Sequence, residues 1–168
     1  MDYRHYRPDD FERLYAIEEE CFQPPDRFGR RYMQRLIKTA SAATWIAEED
    51  GTMVGFAIVE WSVEPGNAVA YIQTIEVAPA FRRQGVGLDL LRHIEDSARD
   101  AGATEIWLHV DARNDAAAGL YRRRGYVNEG RQEHYYGKGR AGEIYCKPLV
   151  VAREHNAKKL EDLRSDGE

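Results

Sequence analysis

The sequence predicts a mixed α/β fold, with helices layered on a central sheet, and three observations carry that prediction. Asp50-Gly51 separates two runs rich in β-branched and aromatic residues, which is the pattern of an antiparallel hairpin. The strand-like "VAYIQTIEV" passes through "RRQGVG" into an amphipathic helix and then into a second short strand, "TEIWLHV". That unit should be parallel, with a right-handed crossover. A second hairpin is formed by "YVNEGRQEHYY", the Gly-rich turn "GKGRAG" and "EIYCKPL".

The elements follow in order. After a short extended piece, Asp9 or Asp10 can cap a helix whose Phe11, Leu14, Tyr15, Ile17 and Cys21 fall at helical spacing. The prolines of "QPPDRFG" break it, and Tyr32, Met33, Leu36 and Ile37 form the apolar face of a second helix. The Asp50-Gly51 hairpin follows; "EPGNA" is a turn, and the third strand ends at Ala78-Pro79. From Gly85 to Ala101 the apolar residues Val86, Leu90, Leu91, Ile94 and Ala98 recur with helical period, and Gly102 supplies the stop. In "TEIWLHV", Ile106, Leu108 and Val110 share one face, and Trp107 and His109 the other. Asn114 or Asp115 caps "AAAGLYRRR", and Gly125 ends that helix. The charged stretch 150–168 reads as a frayed helix or as disordered.

Composition bounds the function. A chain of 168 residues with 43% hydrophobic content closes one sizeable core, so a single domain is expected. A net charge of -5 argues against an extended nucleic-acid surface, which relies on accumulated Lys and Arg. No apolar run approaches the roughly 20 residues of a membrane span, and "MDYRHYRPDD" lacks the apolar core of a signal peptide. The expectation is a cytoplasmic protein without membrane partners. Cys21 and Cys146 are too few and too far apart for a disulfide framework or a metal motif, and read as reduced structural residues.

The junction "RRQGVG" holds the chemistry. The first N–H groups of a helix lack partners and carry the positive end of the peptide dipoles, so a helix start is a ready anion site. Gly85 and Gly87 let the main chain curl around a bulky group, and Arg82 and Arg83 add charge, which together suit a pyrophosphate. A nucleoside triphosphate loop needs Gly-Lys-Ser/Thr, but Val86, Gly87 and Leu88 stand after Gly85. A dinucleotide fingerprint needs a third glycine where Leu90 stands.

Arg82, Gly85 and Gly87, entered from "IEVAPAF", resemble motif A of the GNAT superfamily, the acetyl-CoA-dependent N-acetyltransferases. With "WLHVDARNDAAAGLYRRRGY" downstream, the resemblance covers nearly the whole chain, and its pattern is closest to RimI-like and protein N-terminal acetyltransferases. It implies a GNAT-type domain over 1–149, with a mostly antiparallel sheet, a splayed parallel strand pair and flanking helices. It further implies that Ile75, Glu76 and Val77 offer main-chain groups to the pantetheine of acetyl-CoA. Arg82, Arg83, Gln84, Gly85, Val86 and Gly87 then wrap the pyrophosphate, Asn114 and Tyr121 close on the arm near the sulfur, and no metal takes part.

Acetyl transfer needs a neutral amine, an aligned carbonyl and a proton for the departing thiolate. An unperturbed α-amine has a pKa of about 8 and a lysine amine about 10.4, so the α-amine asks less of its base. By resemblance Tyr121 is the proton donor. Tyr71 in "YIQTI" and His109 in "WLHV" match a tyrosine and histidine that hold a proton-accepting water in N-terminal acetyltransferases, and imidazole titrates in the right range. Glu76 is the rival base. Strand alternation turns it away from Tyr71, although a bulge would change that. By the same resemblance, "CFQPPDRF" and "EHYYGKG" occupy the positions where N-terminal acetyltransferases build the two walls of a peptide slot, which implies Phe22, Pro24, Phe28, Tyr135 and Tyr136 as its lining. The acceptor is expected to be a protein or peptide α-amine. The alternatives are a lysine side chain, a small amine such as a polyamine or antibiotic, or a non-catalytic acetyl-CoA-binding module, in a monomer or homodimer.

Overall fold

A computed structural model of the chain describes residues 1–63 and 67–150. The expected frayed or disordered tail and the first three residues of the "EPGNA" turn lie outside these residues, apart from Val150. The elements are β1 (Asp2–His5), α1 (Phe11–Cys21), α2 (Arg30–Lys38), β2 (Ala42–Glu49), β3 (Thr52–Trp61), β4 (Ala68–Val77), α3 (Val86–Asp100), β5 (Ala103–Asp111), α4 (Asp115–Arg123), β6 (Val127–Gln132) and β7 (Gly142–Pro148). Single 3-10 turns, Pro8–Asp10 and Pro79–Phe81, precede α1 and follow β4. The strands form one sheet in the order β1-β2-β3-β4-β5-β7-β6. Every neighbouring pair is antiparallel except β4 and β5, which run parallel.

Two cores flank the sheet. On one face α3 buries Val86, Leu90, Leu91, Ile94 and Ala98 against Ala57, Val59, Ala70, Ile72, Ile106, Leu108 and Val110. On the other, Phe11, Leu14, Tyr15 and Ile17 of α1 and Met33 of α2 cover Ile46, Phe56 and Ile58. Trimming one of these buried leucines or isoleucines to alanine costs about 2–5 kcal/mol, because a cavity remains beside the rigid sheet. Ile106, Leu108 and Val110 alternate with half-buried Trp107 and His109, as their spacing predicts.

Three local readings change. Asp10 stands at the start of α1 but makes no capping bond there; its carboxylate accepts the Arg7 N–H and both terminal nitrogens of Arg4. The strand expected to run through Tyr136 stops at Gln132, because His134 (φ 58), Gly137 (φ 132) and Gly139 (φ 74) coil residues 133–141 into a compact loop. That loop is closed by Tyr136 N–H to the Arg140 carbonyl and by Gly139 N–H to His134 Nδ1.

The third change concerns Glu76. Ile58 stands opposite Thr74 while Val59 stands opposite Ile72, so Gln73 is an extra residue that bulges β4. The bulge reverses the alternation beyond it. Glu76 pairs across the strand with Phe56 of the α1-side core, and Ile75 with Ala57 of the α3-side core. Glu76 therefore lies on the same face as Tyr71, contrary to the alternation argument.

Candidate active site

The parallel ladder between β4 and β5 extends only from Ala68–Tyr71 to Ala103–Trp107. Beyond it, Gln73–Val77 on one side and Leu108–Asp111 on the other have no partner across the gap, so a wedge opens in the sheet. The chain then turns from β4 into α3 through two left-handed residues, Arg83 (φ 61) and Gly85 (φ 83). A residue with a side chain at Gly85 would be strained by that φ, although the space around it is open. Among the described residues none of the amides of residues 83–87 donates a turn or loop bond, and the first bond of the helix ladder runs from Asp89 N–H to the Gly85 carbonyl. Amides without turn or loop partners in a curl at a helix start, beside Arg83, fit a pyrophosphate. Arg82 itself folds back: its Nε donates to the Val77 carbonyl at 3.0 Å, and its Nη2 lies 3.4 Å from Cys21 Sγ.

Tyr71 Oη and His109 Nδ1 are 2.7 Å apart across the parallel pair. Burial, and then Tyr135, push the Tyr71 phenol above its ordinary value, so it keeps its proton. Burial holds the His109 ring below its ordinary value, and a hydrogen bond with Gln132 opposes this only in part. With the ring proton on Nε2, the neutral phenol donates to Nδ1; with it on Nδ1, the phenol oxygen accepts. Tyr135 stacks flat on His109, with centroids 4.1 Å apart and planes 3° from parallel. Gly142 makes room for this, since a Cβ there would meet Tyr135 carbons at 3.0–3.1 Å.

Tyr121, on α4, is buried beside Tyr126 and Tyr145. Burial, and secondarily Tyr136, raise its phenol above the ordinary value. Asn114 caps α4, its side-chain oxygen accepting the Ala117 N–H at 3.1 Å. Two residues beyond His109 and 29 before Arg140, Asp111 receives hydrogen bonds from both arginines, Arg113 and Arg140.

Glu76 is only 3% exposed and Glu18, from α1, only 1%. Among the described residues neither oxygen of Glu76 finds a hydrogen-bond partner. Burial and the neighbouring Glu18 push the Glu76 carboxyl up to about 11. Its side chain lies on the α1 side of the sheet, where burial beside Glu18 favours the protonated form.

The acceptor residues divide. Phe22 and Pro24 are exposed on the loop between α1 and α2, whereas Phe28 packs on Tyr32 and the α1-side core. Tyr15 donates to the Phe28 carbonyl and Phe28 N–H donates to Glu18, which fixes that loop. Tyr135 and Tyr136 meet edge to face on the opposite loop. Asp26 and Arg140 join the two loops at 2.8 Å. The sequence reading missed this pair, whose members are 114 residues apart with nothing in either segment to match them. A groove of about 520 Å³, lined by His5, Tyr6, Thr44, Trp61 and Asp100 among others, contains none of these residues.

Comparison with known proteins places these features. The model of the acetyltransferase (GNAT) family matches residues 11–126. Streptothricin acetyltransferase of Streptomyces lavendulae is 40% identical over 105 residues, 62% of this chain and 54% of that protein, so the match spans about half of that relative's length. An N-alpha-acetyltransferase of Sulfurisphaera tokodaii is 26% identical over 159 residues, 87% of this chain and 92% of that one. The crystal structure of the ribosomal-protein-S18-alanine N-acetyltransferase from Escherichia coli superposes with a TM-score of 0.78 at 24% identity, covering 90% of this chain and 95% of that one. It shares the fold.

Proposed function

This chain belongs to the acetyltransferase (GNAT) family and is an N-acetyltransferase with acetyl-CoA as co-substrate, and on that premise we propose that its acceptor is the α-amine of a protein or peptide. One observation carries the proposal: a neutral imidazole bonded to a protonated tyrosine at the mouth of the wedge, poised for an amine that is already partly neutral near pH 8. Residues 1–149 act as one catalytic domain, in a cytoplasmic enzyme.

In this reading Ile75, Glu76 and Val77 contribute main-chain groups in the wedge, and the amides of residues 83–87 hold the diphosphate. Acetyl-CoA supplies an activated acyl group on sulfur. The attacking amine gives its proton, through a water, to the Tyr71 hydroxyl as that hydroxyl passes its own proton to His109 Nδ1. His109 becomes the imidazolium and later returns the proton to solvent. Tyr121 donates to the sulfur as negative charge develops there and regains a proton from solvent as the products leave; the burial that raises its phenol disfavours a thiolate in the same surroundings, so the transfer stays matched. No acyl group passes to the protein, and Glu76, protonated and turned towards α1, serves as structure and not as base.

A small-molecule amine is the second reading, favoured by the 40% identity to streptothricin acetyltransferase. A panel assay of thiol release separates the two. Peptides with free N-termini are expected to turn over, and N-blocked lysine peptides, polyamines and streptothricin-type amines to turn over far more slowly. Turnover of the last group alone overturns the α-amine reading.

A further inference from the structure

The geometry points to Arg140 as a positioning residue that clamps the two walls of the acceptor slot and makes it selective for an extended chain over a compact amine. Four attachments meet on this one side chain. Its Nη1 donates to both carboxylate oxygens of Asp26, at 2.8 and 3.0 Å, on the loop between α1 and α2. Its Nη2 donates to Asp111 at 3.0 Å, at the end of the strand that carries His109. Its Nη1 also approaches the Tyr136 carbonyl at 3.3 Å, and its guanidinium carbon lies 5.8 Å from the centre of the Tyr136 ring.

A guanidinium has a planar fork of donors, and here its two terminal nitrogens reach different segments, Nη1 the loop of Asp26 and Nη2 the strand end at Asp111. The consequence is mechanical. The loop bearing Phe22 and Pro24 cannot move away from the loop bearing Tyr135 and Tyr136 without separating Asp26 from Arg140. Tyr135 in turn lies flat on His109, so the clamp also bears on the base. The Asp26 and Arg140 side chains are 31% and 27% exposed, so salt screens the clamp only in part. With the two loops tied together by Arg140, an extended chain is favoured between them over a bulkier, more compact amine.

The inference rests on the α-amine reading, so the test has one arm that does not depend on it. In Arg140→Gln and Asp26→Asn, hydrogen exchange of the amides in residues 22–29 and 133–141 is expected to accelerate together, with the rest of the sheet unchanged. Peptide KM should rise about tenfold, while acetyl-CoA affinity stays within twofold. The ratio of kcat/KM for peptide over a polyamine should fall by a similar factor. The double variant should be no worse than either single one, and Asp26→Glu should restore part of the loss. Arg140→Lys keeps the charge without the fork and should behave as Arg140→Gln, which guards against a mere loss of charge or a folding defect. Unchanged exchange in the opposite loop, or additive losses in the double variant, overturns the clamp. Coupled exchange without any peptide turnover by the unaltered enzyme would leave the clamp standing and sink the α-amine reading.

Discussion

The two halves of the site are built by different means. On the cofactor side, the turn from β4 into α3 presents main-chain amides, shaped by φ values at Arg83 and Gly85 and by the end of a strand ladder. On the acceptor side, side chains from distant segments converge: Tyr71 on His109, Tyr135 over the ring, and Asp26 and Asp111 on Arg140. A main-chain site tolerates side-chain change but not a change of backbone conformation, whereas a side-chain site behaves the opposite way. Substitutions should therefore sort cleanly into those that alter cofactor affinity and those that alter turnover or acceptor KM.

The largest effect should come from the proton relay. His109→Ala is expected to lower kcat by about 10²–10³-fold with acetyl-CoA affinity intact, read by steady-state kinetics beside calorimetry. Tyr121→Phe should cost on the order of 10²-fold in kcat, again without weakening the cofactor. In the unaltered enzyme kcat/KM should rise with pH, first through the lowered His109 pKa and then through the acceptor amine near 8. The first limb should disappear in His109→Ala. If that limb persists, a group other than His109 takes the proton.

Gly85→Val probes the other half. A β-branched residue at φ 83 forces the curl to change, so acetyl-CoA should bind about tenfold more weakly while bound enzyme keeps most of its kcat. A smaller effect is expected at Gly142→Ala, which displaces Tyr135 from His109 and should raise peptide KM a few-fold.

Glu76→Gln sharpens the comparison through stability. Because the folded carboxyl titrates near 11 and the unfolded one at its ordinary value of about 4.5, the folded chain binds the extra proton between those pH values. The native form is favoured below that window and loses stability as pH rises through it, at no more than about 1.4 kcal/mol per pH unit for one proton. Thermal melts of Glu76→Gln should therefore match the unaltered chain most closely at low pH and exceed it increasingly towards pH 9. A kcat loss of 10²-fold in this variant would instead make Glu76 the base.

Legibility in the sequence followed the same division. Strand and helix periods, the Asp50-Gly51 turn and the glycines at 85, 102 and 125 specify the order of elements, because these signals act within a few residues. The start of α3 as an anion site is local in the same sense. Glu76 was misplaced because the bulge at Gln73 is a matter of register with β3, which alternation within β4 does not contain. The coil of residues 133–141 arises from φ values at His134, Gly137 and Gly139, of which the histidine gave no warning. Glu18 under Glu76 and Asp26 on Arg140 join segments 58 and 114 residues apart, and neither pair has a sequence pattern of its own.

The separation of the halves is tested most directly by titrating acetyl-CoA calorimetrically into the unaltered chain, His109→Ala, Arg140→Gln and Gly85→Val under one set of conditions. The account predicts the same dissociation constant, within twofold, for the first three and about a tenfold weaker one for Gly85→Val. No heat from the unaltered chain, or weakened binding in His109→Ala with none in Gly85→Val, would contradict it.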